Sequence, residues 1–206
     1  MLDKWAIQII NPTLVKVADI FKKVGITPDQ ISIVGFFLGL MAVPALWYQN
    51  YWIALTVIVI NRIMDGLDGA LARLGKPTDA GGFLDITLDF IFYSATVLGF
   101  GLANPGQNGI AAATLIFSFM GTGSSFLAFA VMAAKQNIKS IHYPQKSLYY
   151  LGGLTEGTET IAVFVLCCIF PEYFPELAYG FAILCGTTTI LRIFAGYRTL
   201  KNKDLN

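Results

Sequence analysis

The chain has 206 residues, 55% of them hydrophobic and only 13% charged, with a formal net charge of +1 and a mean hydropathy of +0.63. Soluble domains are about one quarter charged, and one small globule cannot hide this much apolar side chain, so the composition calls for a bilayer. The near-neutral total gives no footing for a nucleic-acid partner, and the length suits one domain.

From the N-terminus, Trp5, Ile9, Ile10, Leu14, Val17, Ile20 and Phe21 recur at helical spacing, with Lys16, Asp19, Lys22 and Lys23 between them. The pattern predicts an amphipathic juxtamembrane helix within residues 1–26, lying in the headgroup layer or packed on protein. Pro12 is expected to break it or to start a second segment. The opening Met-Leu-Asp-Lys-Trp shows no cleavable signal peptide, and the first long apolar run, near Ile31, is expected to stay as a spanning helix. Thr27-Pro28-Asp29-Gln30 reads as the cap of that span, with proline in its first turn.

Six apolar stretches approach the roughly 20 residues that cross a bilayer as helix, near 31–49, 51–72, 82–103, 108–134, 148–170 and 176–199. Turn residues separate them: Tyr48-Gln49-Asn50, Asn104-Pro105-Gly106, and Pro171 with Pro175. The expected fold class is an all-α membrane protein of six transmembrane helices. Lys4, Lys16, Lys22 and Lys23 precede the first span; Arg73, Lys76, Lys135, Lys139 and Lys146 fill alternate loops; Arg198, Lys201 and Lys203 follow the last. The opposite loops hold no Lys or Arg, so both termini are expected in the cytoplasm. Cys167, Cys168 and Cys185 lie in apolar runs without spaced partners and read as small hydrophobes. His142 reads as a solvated loop residue, and Gly121-Thr-Gly123-Ser124-Ser125 as close packing, since it lacks a phosphate loop's lysine.

Ionisable residues at membrane depth are costly and mark function. Asp65 and Asp68 are three apart and share a helical face with Ala72; Asp85 and Asp89 are four apart and share a face of the next helix. A connection of about ten residues around Lys76-Pro77-Thr78 makes the two helices an antiparallel hairpin, which brings both pairs to one level. Four facing carboxylates need counter-charge. Arg62 and Arg73 supply some, and divalent cations supply it better, because oxygen-only donors select Mg2+ or Mn2+. Two such ions about 4 Å apart can hold a pyrophosphate.

The run Asp65-Gly-Leu-Asp68-Gly69-Ala-Leu-Ala72-Arg73, followed by Gly81 and then Asp85 and Asp89, resembles the signature of the CDP-alcohol phosphotransferase family, D-x2-D-G-x2-A-R-x7-G-x3-D-x3-D, without a gap. The amphipathic leader, the Thr-Pro start of the first span and the six spans extend the resemblance over residues 1–206 as a single transmembrane domain. The chain looks most like short bacterial inner-membrane members. The resemblance implies that Asp65, Asp68, Asp85 and Asp89 ligate two Mg2+ or Mn2+ ions, with Asp89 also the general base on the acceptor hydroxyl. Arg73 would hold the donor diphosphate, Gly69 and Ala72 would line the cytidine pocket, and Asn61, Asp65 and Gly81 would complete the donor contacts. The reaction implied is in-line transfer of a phosphoalcohol group, with CMP leaving. CDP-diacylglycerol is the expected donor, the bilayer its medium, and a homodimer the expected assembly.

Members that take phosphorylated acceptors are expected to carry clustered basic residues in spans four and five. Here span four ends in the single Lys135, and span five reads Gly153-Leu-Thr-Glu156-Gly-Thr158-Glu159. An uncharged polyol or amino-alcohol acceptor is therefore expected, met by Lys135, Glu156, Thr158 or Glu159; equally, both glutamates pair with Arg62 or Arg192 inside the bundle. An ion-coupled transporter is the alternative function, since intramembrane acids also mark ion paths. Acids gathered at one loop, without duplicated halves, favour the enzyme.

Overall fold

The computed structural model describes residues 3–136, 138 and 153–204; of residues 3–13 and 203–204 only the helical backbone is described. His142, Lys139, Lys146 and the first five residues of the expected fifth span lie outside the described residues. Every regular element among the described residues is a helix, with no strand. They form α1 (Asp3–Val24), α2 (Pro28–Leu40), α3 (Ala42–Trp47), α4 (Tyr51–Leu74), α5 (Asp79–Ala103), α6 (Pro105–Lys135), α7 (Gly157–Ile169), a short 3-10 turn Pro171–Tyr173, and α8 (Phe174–Asp204).

α1 runs unbroken through Pro12. It ends where Gly25 turns left-handed at φ 81°, with Gly25 N–H donating to the Lys22 carbonyl and Ile26 N–H to that of Phe21. That closes the helix as a Schellman motif. The apolar face of α1 packs on protein: Ala18 is fully buried beside Ile31, Leu67, Ala70 and Leu71, with Leu14, Val17 and Phe21 around it. Gly66 makes the approach possible, since a Cβ there would stand 2.9 Å from Leu14 Cδ1. Lys22 Nζ donates to the Leu74 carbonyl at 2.6 Å and so satisfies the end of α4.

Thr27 caps α2 reciprocally with Gln30, and Pro28 stands in the first turn, as the sequence predicts. The helix then breaks at Met41 and resumes as α3, so the expected 31–49 span is two pieces. Pro44 accounts for the break: it has no N–H for the Leu40 carbonyl and its ring crowds that carbonyl. Gln49, at φ 58°, closes the next turn, and its side-chain amide donates to the Ala103 carbonyl at the end of α5.

Four helical stretches are long and apolar enough to cross a membrane: Pro28–Trp47, Asp79–Ala103, Pro105–Lys135 and Pro171–Asn202. α4 is 24 residues long, but Arg62, Asp65, Asp68 and Arg73 make its second half polar. α7 has only 13 residues, because Gly153–Glu156 are irregular inside the bundle. Their polar groups are nonetheless paired, as buried irregular backbone requires: Thr155 N–H and hydroxyl both donate to Thr188 Oγ1, and Glu156 N–H donates to Glu159 Oε2 at 3.1 Å.

The main core runs down the bundle from Leu46, Ile58 and Phe92 through Phe100, Leu115 and Phe119 to Phe164 and Phe174, with Cys167, Cys168 and Cys185 among them. The cysteines are buried and free, as expected. Gly121 packs on Thr189 and Gly123 on Phe90, so the small-residue run serves close helix contact.

Candidate active site

The α4–α5 connection is four residues, Gly75 to Thr78, tighter than the ten-residue link expected, because both helices extend further toward it. Thr78 Oγ1 accepts from Gly81 N–H at 3.0 Å and starts α5. Gly81 is small for a packing reason: a Cβ there would lie 3.0 Å from Asp29 Oδ1 and 3.1 Å from Thr78 Oγ1. The hairpin end therefore sits against the start of α2, beside the α1–α2 turn.

This geometry brings Asp65, Asp68 and Asp85 together. One carboxylate oxygen from each lies within 4.8 Å of the others, with Asp68 buried, Asp65 half-buried and Asp85 exposed. Ser32, from the second turn of α2, donates its hydroxyl to Asp68 Oδ2 at 2.5 Å and fixes that carboxylate from a third helix. A cavity of about 20 Å³ lies among Ser32, Asn61, Asp65, Asp68, Asp85 and Asp89. That is room for an ion or a water. Arg62 also borders this cavity, but the potential ligands on it are oxygens, with no His or Cys among the described lining residues, and such a donor set fits a hard dication such as Mg2+ or Mn2+.

Asp89 lines the same cavity and is paired with Arg62 and Tyr93. Its Oδ1 takes Arg62 Nη2 at 2.6 Å, and its Oδ2 takes the Tyr93 hydroxyl at 3.0 Å. Arg62 Nη1 also reaches Asp65 Oδ2 at 3.4 Å and Tyr93 Oη at 3.0 Å. Of the two arginines expected to supply counter-charge, Arg62 stands among the carboxylates. Arg73 lies exposed on the last turn of α4, and Gly69 leaves it space: a Cβ there would be 3.2 Å from its Nη1. Ala72 is half-buried on the same turn.

Asn61, expected as a donor contact, lines the same cavity and is held there by helix packing. It is buried, its amide donates to the Gly35 carbonyl at 2.9 Å, and its Oδ1 accepts from Arg62 Nε and Nη2.

Lys135 ends α6 and is exposed. Glu156 and Glu159 stand at the start of α7, where they accept backbone N–H groups of Gly153 and Glu156, and Thr158 is half-buried between them. That start adjoins the carboxylate site, because a Cβ on Gly157 would lie 3.3 Å from Tyr93 Oη. Arg192 of α8 is buried, donates to the Thr122 carbonyl at 3.1 Å, and stands 5.6 Å from the Phe126 ring. A separate apolar groove of about 720 Å³ opens between α5 and α6, lined by Phe83, Phe90 and Met120 among others, on the face of α5 turned from Asp85 and Asp89.

Sequence reasoning missed Ser32 and Tyr93. Tyr93 carried a usable signal, since it follows Asp89 by one helical turn. Ser32 carried none, because its link to Asp68 spans 36 positions.

The family described as CDP-alcohol phosphatidyltransferase matches residues 25–191. The chain is 54% identical over 202 residues, 98% of each chain, to the inner membrane protein YnjF of Escherichia coli (strain K12). It is 35% identical over 121 residues to the archaetidylinositol phosphate synthase of Pyrococcus horikoshii, covering 58% of this chain and 64% of that one. Its fold matches a crystal structure of the Mycobacterium tuberculosis phosphatidylinositol phosphate synthase with CDP-DAG bound, at a TM-score of 0.66 and 21% identity over 89% of this chain and 93% of that one. A second structure of that enzyme, in complex with manganese and citrate, matches at 0.65 and 22% identity over 89% and 88%. The hairpin of α4 and α5 with its gathered carboxylates is thus part of a multi-pass membrane transferase, and the chain belongs to the CDP-alcohol phosphatidyltransferase family.

Proposed function

We propose that the chain transfers a substituted phosphate, the phosphatidyl group of CDP-diacylglycerol, to the hydroxyl of a small polar alcohol and releases CMP. The observation that carries this reading is the convergence of Asp65, Asp68 and Asp85 within 4.8 Å, with Asp89 one helical turn beyond. On this reading Asp65, Asp68 and Asp85, whose oxygens converge, together with Asp89 on the same cavity, would hold two Mg2+ or Mn2+ ions. Such ions polarise diphosphate oxygens and offset charge on a leaving phosphate.

The chain's own residues do the rest. Asp89 takes the proton of the acceptor hydroxyl, held in place by Arg62 and Tyr93. Arg73, at the exposed end of α4, meets the donor diphosphate as a forked donor, and Gly69, Ala72 and Gly81 keep that end of the hairpin open to cytidine. Three links support one rim for all of these groups: Lys22 to Leu74, Gly81 against Asp29, and the four-residue turn Gly75–Thr78. The basic residues on that rim, and the lack of Lys or Arg at Tyr48–Asn50, Asn104–Gln107 and Pro171–Pro175, support a cytoplasmic rim in an inner membrane. Both termini then lie in the cytoplasm if α4 and the α7 segment complete six spans within one domain.

An uncharged polyol or amino-alcohol acceptor is the reading the second half supports. Lys135 is exposed at the end of α6, while Glu156, Thr158 and Glu159 start α7 beside Tyr93. The test is CMP release by purified protein given CDP-diacylglycerol, Mn2+ and a panel of acceptors. Uncharged alcohols are expected to support turnover, and Asp68→Asn is expected to lower it by about 10²-fold or more, the scale of losing a group that positions transition-state charge. Efficient turnover of glycerol 3-phosphate contradicts the acceptor assignment, and no CMP release with any acceptor contradicts the activity.

A further inference from the structure

The chain around the α1–α2 turn presents opposite charges to the two helix ends of the α4–α5 connection. Lys22 Nζ donates at 2.6 Å to the carbonyl of Leu74, the last residue of α4. Asp29 stands in the first turn of α2, and its Oδ1 is 3.0 Å from where a Cβ on Gly81 would lie. Gly81 is in the first turn of α5.

Both contacts have the sign that a helix end favours, since carbonyls leave a C-terminus partly negative and N–H groups leave an N-terminus partly positive. The end of α4 has particular need of its partner. α1 closes on the left-handed Gly25, whose turn satisfies its own last carbonyls. Gly75, at φ −113°, is not left-handed, and its N–H reaches back to the Ala72 carbonyl at 3.1 Å. Lys22 supplies the Leu74 carbonyl with the donor that this turn does not. At α5, Thr78 Oγ1 takes the Gly81 N–H, and the missing side chain of Gly81 lets the Asp29 carboxylate add its charge at close range.

The connection so held carries groups assigned above to the nucleotide. Arg73 precedes Leu74, and its Nη1 is 3.2 Å from where a Cβ on Gly69 would lie, so its guanidinium folds back one turn along α4. We infer that Lys22 and Asp29 are positioning residues for the donor, clamping the α4–α5 connection by its two helix ends so that Arg73 and Gly81 are set before a nucleoside diphosphate arrives. Groups fixed in advance need no ordering on binding. Asp65, Asp68 and Asp85 lie at least one turn deeper in their helices, so the effect falls on donor affinity rather than on transfer once the donor is bound. The inference rests on the transferase reading, and one arm of its test does not need that reading.

Purified full-length protein is assayed for CMP release over a range of CDP-diacylglycerol and acceptor concentrations. Hydrogen–deuterium exchange over residues 75–82 is followed in the same chains without donor. Lys22→Met is expected to raise the donor KM about two- to fivefold, the scale of one charge at a helix end, with kcat and acceptor KM unchanged and exchange faster. Lys22→Arg should keep wild-type values, and Lys22→Glu, which sets a like charge against the end of α4, should exceed Lys22→Met in both readouts. Asp29→Asn should follow Lys22→Met. Lys23→Met, whose lysine pairs with Asp19 at 2.6 Å instead, should change nothing. Wild-type donor KM and exchange in Lys22→Met, a loss carried by kcat or acceptor KM, or an equal effect in Lys23→Met overturns the clamp and leaves the transferase reading standing. CMP release from none of these chains overturns that reading, and exchange alone then decides the clamp.

Discussion

A carboxylate at the edge of a membrane persists only when something repays its lost hydration, and the described aspartates of the site use different partners. Asp68 takes the Ser32 hydroxyl, Asp89 takes Arg62 and Tyr93, and Asp65 shares Arg62 while facing Asp68 and Asp85. Replacing Ser32 by alanine removes a hydrogen bond that orients a ligand, and such outer partners are worth about 10- to 100-fold in metal affinity. Ser32→Ala is therefore expected to weaken Mn2+ binding by about tenfold, read by isothermal titration; wild-type affinity would show that the hydroxyl only fills space. Tyr93→Phe keeps the ring beside Arg62 but removes the donor to Asp89. It should lower turnover by about 10-fold, as expected for loosening a catalytic group's orientation, with Mn2+ affinity unchanged. The convergence of Asp65, Asp68 and Asp85 was legible because three- and four-residue spacings fix a helical face. The pairing of Asp89 with Arg62 was not, since it depends on the register between two helices.

At the scale of elements, close approach of α2 to α4 and α5 is what sets that register. Gly39 is its tightest point: a Cβ there would lie 2.7 Å from Asn61 Nδ2 and 2.9 Å from Phe92 Cε2. Gly39→Ala is expected to cost about 1–3 kcal/mol, the range for overpacking a close contact, seen as a lower midpoint of thermal unfolding in detergent. Because Asn61 orients Arg62, the same variant should also lower turnover, while Gly186→Ala, at a helix position with open space, should leave both unchanged. The start of α2 was legible from Thr27, Pro28 and Gln30, whose chemistry is local. The break at Met41 was also written locally, in Pro44, but the apolar run on both sides of it masked the signal. The shortened α7 was not legible, because the irregular Gly153–Glu156 segment depends on Thr188 from α8 to pair its backbone.

For the whole molecule, composition alone demanded a bilayer, and the basic residues predicted its sidedness. The two ends of the bundle differ in the same sense: the carboxylates open toward the end bearing Lys22, Arg73 and Lys76, while Gln49, Ala103, Gln107 and Glu172 meet at the other. Single cysteines test the assignment cleanly, because Cys167, Cys168 and Cys185 are buried and give little background. In intact cells an impermeant thiol reagent is expected to label Gln107→Cys and to miss Lys76→Cys; the reverse pattern inverts the topology. Apolar runs in the sequence predicted six spans, whereas four helical stretches among the described residues are long and apolar enough to cross. The functional helix α4 fails that measure because its acids belong to the site, so hydropathy is weakest where chemistry is densest.

On this reading α4 and α5 hold a divalent cation between Asp65, Asp68 and Asp85. Crystals of the protein grown with Mn2+, measured at the manganese absorption edge, test it directly. An anomalous peak bonded to oxygens of all three aspartates is expected, and it should vanish in Asp68→Asn. Well-ordered carboxylates with no peak between them, or a peak bound elsewhere and unaffected by Asp68→Asn, would contradict it.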